Sequence, residues 1–306
     1  MVCRPGSGDL LRMQSGGTCP GWSGSFQATC EHQVPREKDV RGWRIVVTLR
    51  VRWPLPALPQ SDLGGGGDGG GDGRGAPESG VDSPSSPPRV FHHAEVAPGC
   101  RLCHCPGYVP PARAAAIGAE LLALLLGNQS ESDTTVVAGV RHDNDGRRRL
   151  QLRFPGAGPA KLAHARGAHV RPSTTSDSDY TDKAWAPFPP GLHALLMEDK
   201  GSLAWDLLGP DALLPRDDGR RHNDAGAGLV HATTPAAARA LVRRGALFAH
   251  CILYPSGATA LAWHRDREEY ECPHRVASMT FLERPGAGRR SFEARAWTAG
   301  QKRGRG

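Results

Sequence analysis

The pattern of apolar and polar positions predicts an ordered C-terminal part behind a poorly structured N-terminal part. The stretch from Gln60 to Arg89 is rich in Gly, Pro and Ser and nearly free of large apolar side chains. Ordering such a stretch costs backbone entropy that no burial offsets. We therefore predict a Gly/Pro/Ser-rich linker over residues 60–90, a poorly structured region over residues 1–59, and a single domain over residues 91–306.

Proline, glycine and threonine positions in the ordered part predict helices among short strands. Pro110 and Pro111 precede an Ala- and Leu-rich run that Gly127 ends, which is the usual punctuation of one helix. Thr234 and Pro235 begin a second helix as its N-cap and first helical residue. The segment PFPPGLHALL predicts a further helix. The remaining apolar pieces alternate with polar turns, which favours strands, and WRIVVTLRVRW near the N-terminus has the alternation of an isolated strand.

Composition and charge narrow the class of protein. The chain carries 38 Lys and Arg against 31 Asp and Glu, a net charge of +7. This charge suits a nucleic-acid partner, although a basic surface without such a partner is commoner. The eight Cys are too sparse and irregular for the disulfide framework of a secreted protein. Neither a signal peptide nor a run of about 18 apolar residues is present, so we predict a soluble intracellular protein without a membrane partner.

The strongest chemical signal is His264 followed two residues later by Asp266. This spacing lets an imidazole and a carboxylate at a strand end converge on one metal ion, and a second His would complete the facial triad of non-haem Fe(II) oxygenases. The pair alone is weak, because a chain with 13 His is expected to contain such a pair by chance. A second pair, His222 and Asp224, lies in a polar loop segment.

Context distinguishes the first pair from the second. The surrounding pattern resembles the AlkB family of Fe(II)- and 2-oxoglutarate-dependent dioxygenases, which dealkylate nucleic acids. The histidine of the pattern comes ten positions after its tyrosine, as the family requires. The similarity extends weakly upstream to residue 97, whereas residues 248–292 carry the specific motifs. The matching residues are Tyr254, Gly257, Trp263, His264, Asp266, Glu268, Pro273, Val276, Ala277, Ser278 and Phe281.

The resemblance implies an α+β, mainly β fold: a double-stranded β-helix, or cupin-like jelly-roll, with flanking N-terminal helices. By this similarity His264 and Asp266 are catalytic iron ligands, Tyr254 binds the co-substrate 2-oxoglutarate, and Trp263 and Glu268 lie near the substrate. Enzymes of this kind use O2 to oxidise 2-oxoglutarate to succinate and CO2 and to hydroxylate an alkyl group of a nucleic-acid base or protein side chain, which then leaves as an aldehyde. A basic surface and an extruded base would suit nucleic acid.

Two departures from the family pattern predict an incomplete site. Ile252 stands where the family usually has Asn, two residues before the tyrosine. The chain has no His beyond His274, whereas the family's second iron His and the Arg for the distal carboxylate of 2-oxoglutarate lie several strands after the first pair. His274 is too near Asp266 to replace that ligand. We therefore expect a jelly-roll that lacks its C-terminal strands and its third iron ligand.

Two other functions stay open. The segment HRVASMTFL also resembles a strand of prolyl 4-hydroxylases, which belong to the same oxygenase superfamily, although the spacings agree less well. A second alternative is a basic nucleic-acid-binding module that keeps the fold without iron and has no catalytic activity.

Several further groups have a structural and a functional interpretation. A zinc site is conceivable where three cysteines lie near histidines, but buried free cysteines on a strand are the commoner case. Cys251 and Cys272 are predicted core residues. Trp185 and Phe188 could stack on a base, although burial is the usual fate of such aromatics. Basic runs at residues 147–149 and in the C-terminal tail are most simply solvated faces. The candidate zinc ligands are Cys100, Cys103, Cys105, His92, His93 and His104.

Overall fold

The computed structural model describes nine stretches of the chain. They are residues 1–15, 26–51, 89–127, 140–154, 186–198, 202–209, 232–265, 275–284 and 289–297. The strands are β1 (Val2–Cys3), β2 (Leu10–Ser15), β3 (Cys30–Val34), β4 (Arg44–Val51), β5 (His92–Ala97), β6 (Cys100–Cys105), β7 (Arg141–His142), β8 (Arg148–Arg153), β9 (Ala186–Pro187), β10 (Leu247–Tyr254), β11 (Leu261–His264), β12 (Arg275–Leu282) and β13 (Phe292–Ala296). The helices are α1 (Phe26–Thr29), α2 (Pro111–Leu126), α3 (Pro190–Met197), α4 (Leu203–Leu208) and α5 (Pro235–Arg243).

The strands form two sheets. The large sheet has the order β5-β6-β2-β12-β4-β10-β8-β7, with β9 added in parallel to β8, and the small sheet has the order β1-β13-β3-β11. All other pairings in both sheets are antiparallel. The described part of the chain is therefore a mixed α+β fold dominated by two sheets, as the sequence predicts at this level.

Strand alternation divides the core into two layers. Successive side chains of a strand point to opposite faces, so Ile45, Val47 and Leu49 of β4 pack towards the helices, while Val46 packs towards the small sheet. The helix-side core contains buried residues of α2, α3, α4 and α5. The second core lies between the sheets, where Phe292 of β13 joins residues of the large sheet. The small sheet thus covers one face of the large sheet and the helices cover the other.

The predicted helices begin and end as their punctuation indicates. Pro111 opens α2, and Gly127 follows it with φ +67°, a conformation that favours glycine. At α5 the Thr234 hydroxyl accepts a hydrogen bond of 3.1 Å from the backbone N–H of Ala237, which satisfies one of the free donors of the first turn. The helix predicted from PFPPGLHALL is α3. Within the described residues, no helix has the length and apolar character needed to cross a membrane.

The prediction of a poorly structured N-terminal region was wrong for the described residues 1–15 and 26–51. They supply β1 to β4, and β4 lies in the middle of the large sheet, paired with β10 on one side and β12 on the other. Only the isolated strand expected from WRIVVTLRVRW was correct, and it is β4. The sequence contains only weak signals for β1, β2 and β3, because these strands pair with segments more than 50 residues away and not in local hairpins. Residues 60–88 of the predicted linker lie outside the described residues.

Candidate functional site

His264 lies on the last position of β11, at the edge of the small sheet. Its register partner on the neighbouring strand is His32 of β3, and Leu261 pairs with Val34. Three steps along β11 therefore match two steps along β3, which is a β-bulge. Because of the extra residue, Leu261 and His264 share one face although they are three positions apart, a spacing that in a regular strand would place them on opposite faces. The bulge turns His264 towards the interior between the two sheets.

His32 faces the same interior. Its ring centroid is 4.1 Å from that of His264, with the two ring planes at 58°. The ring of Phe292 stacks on it with a centroid distance of 5.5 Å, and the residue is 6% exposed. Alternation along β3 places His32 on the same buried face as Cys30 and Val34. The prediction of a missing second iron histidine considered only residues later in the chain; the structure places His32, from near the N-terminus, beside His264.

The two histidines have features that suit a metal site. Nδ1 of His264 lies 2.8 Å from the carbonyl oxygen of Ala262. A carbonyl only accepts, so Nδ1 donates, and Nε2 is the ring nitrogen through which His264 would bind a metal ion. Metal-binding histidines are commonly oriented in this way by a carbonyl on the other nitrogen. The centroid separation of 4.1 Å shows that the two imidazole rings are in contact.

The carboxylate of the predicted pair is not among the described residues. Asp266 and Glu268 both lie outside them, as does the second pair, His222 and Asp224. Among the described residues, no group of three or more His, Cys, Asp or Glu side chains could hold a metal ion. The structure therefore brings together two imidazoles of a candidate centre, and the chain continues from His264 directly towards Asp266.

Tyr254 and Arg44 lie opposite each other on adjacent strands of the large sheet. They are register partners at the ends of β10 and β4, and both are 2% exposed. Both point to the face that the small sheet covers, because they alternate with Leu253 and Ile45 of the helix-side core. Burial raises the pKa of Tyr254, so the phenol stays neutral and can donate a hydrogen bond at neutral pH.

Arg44 is a buried cation without a carboxylate partner among the described residues. Its Nη1 donates to the backbone carbonyl of Arg290 at 3.3 Å and its Nη2 to the hydroxyl of Thr280 at 3.4 Å. Its Nε has no hydrogen-bond partner within the described part of the chain. Burial lowers the pKa of Arg44 to about 10, and the group still carries its charge at neutral pH. Buried charges are normally paired, so this position suits an anionic ligand.

Trp263 lies on the outer side of the small sheet. The guanidinium of Arg295 covers its ring at 4.1 Å from the centroid, and Arg295 also forms an ion pair of 2.9 Å with Glu31. Glu31 alternates with the interior residues of β3, so this arrangement belongs to the outer face. The predicted place of Trp263 near the substrate stays a prediction.

The cysteines of β6 do not converge on one metal ion. Cys100 faces the small sheet, where its Sγ lies 2.9 Å from the hydroxyl oxygen of Thr29. Cys103 points to the opposite face and its Sγ donates to Oε1 of Gln14 at 3.0 Å. Cys105 shares that opposite face and packs in the helix-side core. Strand alternation thus separates Cys100 from Cys103 and Cys105, so the three thiols do not share one face of the sheet, and the zinc site stays a hypothesis.

Four further candidate residues that the structure describes are either buried in the core or paired with a carboxylate. Cys251 and Phe188 are buried in the helix-side core, which confirms the structural interpretation of both. Arg147 and Arg149 form ion pairs with Asp143. Trp185, Cys272 and the C-terminal basic tail lie outside the described residues.

Comparisons of the chain with protein-family models, with curated proteins and with solved structures found no match. The class of protein is defined by the fold alone: an α+β protein in which two packed sheets carry a pair of contacting histidines at the edge of the small sheet and, at the ends of β4 and β10, a buried arginine and tyrosine.

Proposed function

We propose that this protein is an AlkB-type Fe(II)- and 2-oxoglutarate-dependent dioxygenase built on a jelly-roll. His32, His264 and Asp266 would hold the iron. The observation that carries the proposal is the placement of His32 beside His264 on the interior face of the small sheet. Two histidines and one carboxylate are the donor set of the facial triad, which leaves coordination positions open for co-substrate and oxygen.

The co-substrate would lie between the sheets at Tyr254 and Arg44. A dicarboxylate such as 2-oxoglutarate matches a buried guanidinium that has no carboxylate at ion-pair distance among the described residues, because the ligand would supply a negative charge. Tyr254 would donate its hydroxyl proton to a ligand oxygen. This pair takes the two roles that the AlkB resemblance assigns to a tyrosine before the metal strand and to an arginine on a late strand. Here the arginine comes from β4, early in the chain.

The protein residues would bind, orient and shield rather than react. The carbonyl of Ala262 accepts a hydrogen bond from Nδ1 of His264 and orients the ring, so Nε2 would be the nitrogen that binds iron. The burial of Tyr254 and Arg44 keeps water from the co-substrate and strengthens their electrostatic interactions with it. Bound iron with 2-oxoglutarate would supply oxidation of an alkyl C–H bond.

The substrate we propose is an alkylated nucleic-acid base, with a protein side chain as the alternative. The net charge of +7 supports a polyanionic partner. The inactive-module alternative rested on a missing third ligand, and His32 gives the site an imidazole of the required kind. The prolyl-hydroxylase alternative would use the same iron ligands and is separated from the main proposal by substrate alone.

Anaerobic calorimetric titration with Fe(II) tests the proposal directly. We expect one iron per chain for the wild type and a loss of affinity of at least about tenfold for both His32→Ala and His264→Ala. His93→Ala is the matched control, because it removes an exposed histidine of β5 and should leave iron binding unchanged.

Turnover is measured in the same set of variants as succinate formed from 2-oxoglutarate in the presence of Fe(II) and ascorbate. Wild-type production that both interior histidine variants abolish and the control retains would support the oxygenase. A wild-type chain that binds no Fe(II), or a His32→Ala chain that binds it as tightly as the wild type, would contradict the proposed centre.

A further inference from the structure

We propose that Arg290 is a positioning residue of this site: its buried guanidinium fixes, relative to one another, the loops next to the strands that carry the two histidines and the tyrosine. The inference rests on the proposed function. Arg290 lies just before β13 and is 1% exposed. Neither the metal motif nor the AlkB pattern points to it, and its neighbour Arg289 is exposed.

The hydrogen bonds of Arg290 join two loops that follow site strands. Its Nη2 donates to the carbonyl of Pro35 at 2.8 Å, in the loop that directly follows β3 and His32. Its Nη1 donates to the carbonyl of Ser256 at 3.2 Å, and Nη2 also donates to the carbonyl of Thr259. Ser256 and Thr259 belong to the connection between Tyr254 and His264. One side chain therefore ties the loop after His32 to the loop between the other two site residues.

Arg290 also contacts the co-substrate pair. Its guanidinium carbon lies 5.3 Å from the ring centroid of Tyr254, a cation–π distance. Its backbone carbonyl accepts the hydrogen bond from Nη1 of Arg44. The position of Arg290 thus influences the orientation of both side chains proposed to hold 2-oxoglutarate.

Arginine is suited to this role by its chemistry. Its guanidinium offers five donors in a rigid plane, so one group can serve several carbonyl oxygens at once. Lysine keeps the charge but presents three donors from a single point, and glutamine keeps part of the polarity without charge. Within the described residues, no ion pair within 4.0 Å joins Arg290 to a carboxylate, so its geometry is set by backbone carbonyls. A charged donor to buried carbonyls makes a strong hydrogen bond.

The loops held by Arg290 also meet each other through Gly257. The N–H of Glu37 donates to the carbonyl of Gly257 at 2.9 Å, and the N–H of Gly257 donates to the carbonyl of Val40 at 3.1 Å. Arg290 caps this contact from the interior side. Its loss would leave several buried carbonyls without their donor, and the two loops would separate.

The test compares Arg290→Gln, Arg290→Lys and Arg289→Gln in anaerobic calorimetric titrations with 2-oxoglutarate and Fe(II). We expect affinity for both to fall by about 10–100-fold in Arg290→Gln, the range found when a residue behind a metal ligand is lost. Arg290→Lys should recover part of that affinity, and Arg289→Gln should bind like the wild type.

A destabilised control separates positioning from general instability. Leu121→Ala removes a fully buried side chain of α2 in the helix-side core, so it should lower the melting temperature while leaving both affinities within about twofold of wild type. Wild-type affinities in Arg290→Gln, at a melting temperature lowered as in Leu121→Ala, would overturn the inference. If Arg290→Gln does not fold, Arg290→Lys with wild-type affinities would overturn it equally. A wild-type chain that binds neither ligand would overturn the proposed function and this inference together.

Discussion

His32 of β3 and His264 of β11 are register partners across the small sheet, with ring centroids 4.1 Å apart. The first comes from the N-terminal stretch of the chain and the second from near its C-terminal end. The bulge between Leu261 and His264 places both rings on the interior face. Candidate metal ligands can thus be brought together by sheet pairing alone, with no proximity in sequence.

Replacement of Arg44 by methionine should separate ligand binding from stability. Among the described residues no carboxylate lies at ion-pair distance from this buried cation, so its removal relieves a desolvation cost. We expect the free energy of unfolding to stay unchanged or to rise by about 1–4 kcal/mol, whereas affinity for 2-oxoglutarate should fall at least about a hundredfold. Urea denaturation and anaerobic calorimetry measure the two quantities.

The matched control for Arg44 is Arg149→Met. Arg149 has a carboxylate partner, Asp143, at 2.6 Å and a half-exposed side chain, so the change should alter stability by less than about 1 kcal/mol. An Arg44→Met chain that binds 2-oxoglutarate like the wild type would show that this guanidinium is purely structural.

Gly257 should not tolerate a side chain. A Cβ at this position would lie 2.0 Å from the carbonyl oxygen of Glu37 and 2.6 Å from that of Val40, and both obstacles are backbone. We expect Gly257→Ala to lower the free energy of unfolding by about 1–3 kcal/mol and to weaken Fe(II) binding, because the loops beside the two histidines must separate. Gly6→Ala is the control, since the nearest atoms to its Cβ are 3.5 Å away. Equal stability of the two variants by urea denaturation would contradict this prediction.

The sequence predicted the positions of helices and single strands better than it predicted which strands pair with each other. Helices α2 and α5 were visible because proline, glycine and a capping threonine act within one turn of their own position. The order of strands was not visible, since β4 pairs with strands about 200 residues later in the chain. Alternation shows that a segment can form a strand, but it carries no information on which strand lies beside it.

The site was predicted in part for the same reason. His264 and Tyr254 belong to a compact motif, so they could be found by pattern. His32 lies in the short run CEHQV, whose alternation predicts only that it shares a face with Cys30 and Val34. Arg44 resembled any other arginine in a basic chain, and its burial became evident only from the packing of the small sheet over β4.

Asp9 and His104 form an ion pair that holds the start of β2 against the end of β6. His104 Nε2 lies 2.8 Å from Oδ2 of Asp9, and the backbone N–H groups of Gly6 and Gly107 donate to the same carboxylate at 2.6 and 2.8 Å. The hydrogen bond to Asp9 raises the pKa of His104 to about 9. Burial acts to raise the pKa of Asp9, but the hydrogen bonds from His104, Gly107 and Gly6 outweigh it and lower the pKa.

These shifts predict how the pair contributes to stability at different pH. The raised pKa of His104 means that its contribution is complete below 6.5, the ordinary value for His, and is lost as pH rises through about 9. The lowered pKa of Asp9 means that its contribution is complete above 3.8 and is lost as pH falls. At pH 6 we expect the free energy of unfolding, measured with urea, to be about 1–3 kcal/mol higher for the wild type than for Asp9→Asn. At pH 9.5 this difference should be smaller. The other ionisable groups titrate alike in the two chains, so their contributions cancel in this comparison. A difference that stays constant between pH 6 and pH 9.5 would show that His104 is uncharged at pH 6.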